Sequence, residues 1–121
     1  MVMQRTSSSK NEVATWDGNE VGIDLTAAGG QVRIVPPGDF RLMRIACHFD
    51  DPVAPVVTID QDNQAGPDWD HNIRTVTLPA GSQNYTFIGG QGYEYPQGDA
   101  IVVAFTAVAT TVWVSWVMEQ I

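Results

Sequence analysis

Residues 100–118 read Ala100-Ile101-Val102-Val103-Ala104-Phe105-Thr106-Ala107-Val108-Ala109-Thr110-Thr111-Val112-Trp113-Val114-Ser115-Trp116-Val117-Met118, and the fold turns on what this run forms. It carries no charge and approaches the length of a membrane-spanning helix, which needs about 20 apolar residues. Its composition argues for strands instead. Val and Thr dominate, and their branched Cβ atoms suit a pleated sheet better than a helix. Thr106, Thr110, Thr111 and Ser115 interrupt the hydrophobicity, and the flanking Asp99 and Glu119 supply no cationic anchor. Two strands joined by a turn near Ala109-Thr110-Thr111 are therefore predicted. In the second, Val112, Val114, Trp116 and Met118 share one face, while Trp113 and Val117 lie on the other. A strand of a two-layer sandwich buries one face only, so the face bearing Trp113 and Val117 is expected to be covered by another subunit.

The same alternation marks strands upstream, each bounded by turn residues. Val21-Ile23-Leu25 alternates up to Gly29-Gly30, and Val32-Ile34 runs to Pro36-Pro37-Gly38-Asp39. In the run Phe40 to Phe49, Met43, Ile45, Cys47 and Phe49 fall in one phase and Phe40 and Leu42 in the other. A β-bulge near Leu42-Met43 reconciles them. Further strands are predicted around Val57-Ile59, Ile73 to Leu78, Tyr85 to Ile88 and Tyr93 to Tyr95. The polar stretch from Asp60 to Asn72 reads as a long loop. About eight strands without a helix specify an all-β domain, an antiparallel β-sandwich or jelly roll, with a closed barrel as the runner-up. Residues 1–15 read as a flexible polar N-terminal arm without the apolar core of a signal peptide, and residues 16–121 as a single β-sandwich domain.

Composition narrows the function. The 121 residues carry a formal charge of −8, the wrong sign for neutralising phosphates, so neither nucleic acid nor an anionic membrane is an expected partner. The single cysteine, Cys47, has no partner for an internal disulfide and reads as a small buried hydrophobe.

The sequence holds no complete catalytic or metal-binding constellation. Cys47 and His48 point to opposite faces of one strand, and His71 is distant in sequence, so no metal site is predicted. The acidic loop Asp60-Gln61-Asp62-Asn63 begins like a calcium loop, but Ala65 stands where the turn glycine belongs and His71 where a bidentate Glu is needed. Asp68 and Asp70 astride Trp69 are a carboxylate pair without an evident cleft. Ser82 lies outside any nucleophile-elbow pattern. Gly89-Gly90-Gln91-Gly92 lacks the lysine and following helix of a phosphate cradle. Hence no catalytic residue, cofactor or metal is expected, and the chain is read as a non-enzyme. Trp16, Trp69, Tyr93 and Tyr95, placed in loops or short edge segments, join Trp113 and Val117 as candidate interface residues.

Several segments resemble head decoration, or cement, proteins of tailed bacteriophages. They are Pro37-Gly38-Asp39-Phe40-Arg41-Leu42-Met43-Arg44-Ile45, Val57-Thr58-Ile59-Asp60, Leu78-Pro79-Ala80-Gly81-Ser82, Tyr85-Thr86-Phe87 and Tyr95-Pro96-Gln97-Gly98-Asp99-Ala100-Ile101-Val102-Val103. The resemblance is one of style and order and carries no diagnostic motif. It implies a homotrimer on the capsid exterior of the virion that binds the major capsid protein and stabilises its lattice. A carbohydrate- or receptor-binding module of a phage tail or adhesin is the alternative.

Overall fold

The computed structural model describes residues 2–5, 11–16, 20–63 and 71–121, and all structural statements concern these. They form eleven strands and no helix: β1 (Val2–Arg5), β2 (Asn11–Thr15), β3 (Glu20–Asp24), β4 (Gly30–Ile34), β5 (Phe40–Val53), β6 (Val56–Asp62), β7 (His71–Thr77), β8 (Ser82–Ile88), β9 (Glu94–Tyr95), β10 (Ala100–Phe105) and β11 (Thr111–Gln120). Among the described residues no helix is long and apolar enough to cross a membrane. The uncharged run of residues 100–118 supplies β10 and most of β11, and the two strands lie in different sheets.

One sheet has the order β1-β2-β4-β10-β6-β7; the other has β3-β11-β5-β8, with β9 paired to the start of β5. The pairings are nested. β6 pairs with β7, β5 with β8, β4 with β10 and β3 with β11, all antiparallel. A long hairpin rolled so that its two arms alternate between sheets gives this nesting, which is a jelly roll. The β-sandwich expected from the alternation is thus the fold observed.

The core lies between the sheets. Ile23, Ile34, Leu42, Ile45, Ile59 and Ile101 are fully or almost fully buried. Burying such a side chain contributes about 1.5–3 kcal/mol relative to exposure. Phe49 and Phe105 meet edge to face across the layers, with ring centroids 5.9 Å apart.

The bulge expected near Leu42-Met43 is present. Val117 pairs with Arg44 and Met118 with Leu42, so Met43 is the extra residue. It leaves the core to Leu42 and is itself only half-buried. The glycine-rich segment after β8 holds the bulge. Gly89 and Gly90 donate their backbone N–H groups to the carbonyls of Met43 and Leu42, at 2.9 and 2.8 Å. A Cβ on Gly89 would stand 2.2 Å from the Leu42 carbonyl oxygen, so only glycine permits this approach.

The N-terminal segment differs from expectation. Within residues 1–15, the part read as a flexible arm contributes β1 and β2, and β2 adds in parallel to the edge of β4. Glu12 explains why the sequence concealed this. It is buried beside Gln31, which donates to its carboxylate, and near Arg33, so the segment is held by polar contacts that hydrophobic periodicity does not register.

Two outcomes follow. Leu42→Ala is expected to cost about 2–5 kcal/mol in urea unfolding, and Met43→Ala under about 1.5 kcal/mol. The order reverses if Met43 rather than Leu42 fills the core. Burial pushes the Cys47 thiol up to about 12, so native protein should resist a thiol reagent at pH 8 and react on unfolding. Because the unfolded thiol ionises near its ordinary value and the folded one does not, this site's contribution to stability falls as pH rises above about 9.

Candidate binding surface

The two sheets solve the problem of their outer faces differently. On the β1-β2-β4-β10-β6-β7 sheet, Arg33 stands opposite Val102, and its guanidinium lies 2.7 Å from Asp62 and within 3.7 Å of Glu12. Asn72 donates to Asp60 at 2.9 Å. This polar lattice covers Val102, which is buried although it faces away from the core.

Among the described residues, the outer face of β3-β11-β5-β8 has no such cover. The register aligns its side chains in rows. Gly22, Trp113, His48 and Asn84 form one; Glu20, Ser115, Ala46 and Thr86 form the next; Val117, Arg44 and Ile88 form the third. Ile88 is 68% exposed, Val117 43% and Trp113 40%. These are the three largest apolar side chains of the face, and all point to solvent. Trp113 and Val117 were expected here. Ile88 was not, although its phase with buried Phe87 carried the signal: alternation turns Ile88 outward as soon as Phe87 is placed in the core.

Each end of the face has its own chemistry. Around Trp113 the groups are polar. The indole N–H donates to the Asp50 carboxylate at 3.1 Å, and the His48 Nδ1 lies 2.9 Å from the Asn84 side-chain oxygen. Around Val117 and Ile88 the neighbour is Arg44. Beyond them the Arg41 guanidinium joins Glu94 and Glu119, and hydrogen bonding to Glu94 and the neighbouring charges hold it firmly protonated.

The other candidate aromatics do not join this face. Tyr93 packs edge-on against Phe87 at 5.5 Å, and Tyr95 tilts onto Phe40 at 5.6 Å. Both are half-buried against the end of the core, and desolvation raises the Tyr95 hydroxyl above its ordinary value. Trp16 also packs on the core, lining a cleft of about 170 Å³ with Pro36, Pro37, Phe40 and Met118. Small-molecule sites usually enclose about 300–1,000 Å³, so this cleft is undersized. Trp69, Asp68 and Asp70 lie outside the described residues.

Chemical candidates are likewise dispersed. Cys47 faces the core and His48 the solvent, as alternation requires, and His71 lies in the opposite sheet. Among the described residues no three His, Cys, Asp or Glu side chains cluster as ion ligands. The Ser82 hydroxyl donates to the Pro79 carbonyl at 2.6 Å and closes a turn.

No family model matches the sequence. No curated protein matches it either. Solved structures do. The pre-peptidase C-terminal domain of collagenase from Bacillus anthracis superposes with a TM-score of 0.52 at 7% identity, covering 89% of this chain and 94% of that one. PirA superposes at 0.53 with 6% identity, covering 85% and 97%. A carbohydrate-binding module structure, CBM4, reaches only 0.40 at 13% identity over 87% and 86%, too loose a likeness to carry weight. At such identities the likeness speaks to the fold alone, and that fold is a β-sandwich.

Proposed function

We propose that this chain is a non-enzymatic assembly module, a jelly-roll unit that docks through the outer face of β3-β11-β5-β8. The observation that carries the reading is the exposure of Val117 and Ile88 in one row of that face, on a sheet whose counterpart is closed by its own ion pairs. A protein that stays alone in water gains nothing from presenting these side chains on a sheet face, whereas a partner surface removes them from water. Arg44, between the two, offers a charge that fixes orientation and register more than affinity.

The finer form of the proposal is a decoration protein of a virus particle. In that form the chain sits on the capsid exterior, forms a homotrimer and binds the major capsid protein. The support is the segment-by-segment resemblance of residues 37–45, 57–60, 78–82, 85–87 and 95–103 to such proteins, together with the open sheet face. The net charge of −8 suits a partner surface that is basic.

The double variant Val117→Ser with Ile88→Ser tests the docking reading. Both side chains are exposed, so the variant is expected to melt within a few degrees of the wild type. Wild-type protein should sediment as an oligomer, with a trimer as the specific expectation, and the variant as a monomer. A wild type that is strictly monomeric and does not co-sediment with particles contradicts the proposal.

A further inference from the structure

The Trp113 end of the same face has a geometry that docking does not explain. A Cβ built on Gly22 would lie 2.7 Å from Cζ3 of Trp113 and 2.9 Å from both Cε3 and Cη2. An atom approaching in the plane of the ring would be much nearer one ring atom than its two neighbours. Near-equal distances place it over the ring face. The indole therefore reclines across the sheet, with one face on the bare backbone of Gly22 and the other toward solvent. Strand side chains ordinarily stand out from the sheet, and a side chain at residue 22 would force this one upright. The hydrogen bond from the indole N–H to Asp50 fixes the ring at its other end.

We infer that Trp113 is a stacking platform for a neutral pyranose ring, with Asp50, His48 and Asn84 as its polar border. This goes beyond the docking proposal and does not depend on it. The chemistry of the border selects the ligand. An all-apolar partner seated on the indole would bury Asp50, His48 and Asn84 without replacing their water, which is costly. A gluco-configured pyranose carries C–H bonds on its faces and hydroxyls around its rim. Its face lies on the indole while its hydroxyls meet the border. The Asp50 carboxylate accepts the indole N–H with one oxygen and has acceptor sites on the other. The Asn84 amide, whose oxygen faces His48, has two N–H donors to offer. Glu20, Asp24 and Asp50 on this face disfavour an acidic sugar. The platform is separate from the docking row, since Trp113 and Val117 lie four residues apart on β11, about 14 Å at the rise of a strand.

The test is a titration of intact protein with cellohexaose, laminarihexaose and chitohexaose at millimolar concentration, followed by saturation-transfer NMR and calorimetry. At least one hexaose is expected to bind. Trp113→Ala should weaken that binding by about tenfold or more, the loss of roughly one stacking contact, and Trp113→Phe by less. Gly22→Val, which keeps the indole but lifts it, should weaken binding as well. Val117→Ser with Ile88→Ser should leave it unchanged, which separates this site from docking. Thermal melts confirm that each variant is folded. If no hexaose binds, or if binding survives Trp113→Ala in folded protein, the inference is overturned. It is also overturned if Trp113→Ala abolishes particle attachment while no sugar binds, because the indole is then a protein contact.

Discussion

The structure depends on β11 entering between β3 and β5. Until it does, the β3-β11-β5-β8 sheet has no centre, and β3, near one end of the chain, has no partner in its sheet. The nesting of pairs makes this the outermost and longest closure of the roll. Contacts of such separation are entropically slow to form, so the last strand needs a strong local reward. Val112, Val114 and Trp116 supply it on the inner face, against Ile45, Cys47 and Phe49 of β5. The extra residue at Met43 then lets β5 stay in phase with β11 along the whole strand, and Gly89 and Gly90 hold that extra residue in place.

The outer side of β11 follows from the same position. A central strand is hydrogen-bonded on both edges, and its second face must be either polar or covered. On the opposite sheet the central β10 has Val102 outward, and Arg33 with its carboxylate partners covers it. On β11, no described residue gives Trp113 or Val117 such a cover, and both are exposed. Among the described residues, one outer face is thus closed by its own ion pairs and the other is open. Trp113 and Val117 do not share one environment, however. The indole is bordered by hydrogen-bonding groups and pinned flat, while Val117 shares its row with Arg44 and Ile88.

Much of this was legible in the sequence because it rests on alternation. The phase of Val112 to Met118, the need for a bulge before Ile45, and the turn-bounded strands from Val21 onward all depend on a period of two, which sequence displays directly. The pairing of β2 was not legible because Glu12 is held by Gln31, and a buried carboxylate looks like exposed chain in the sequence. The packing of Tyr93 and Tyr95 was not legible for a different reason. Whether a short segment folds back onto Phe87 and Phe40 depends on the path of the loops, and no local pattern encodes it. The role of Gly22 was equally hidden, since a glycine in a strand reveals its purpose only when the residue opposite it, Trp113, is known.

Hydroxyl-radical footprinting of the free and particle-bound protein tests the central claim that the outer face of β3-β11-β5-β8 is the working surface. The account predicts that oxidation of Val117 and Ile88 falls on binding, while Ile73 and Val76 of β7 keep their free-state reactivity. Protection confined to β7 and the opposite sheet, with Val117 and Ile88 unchanged, would contradict it.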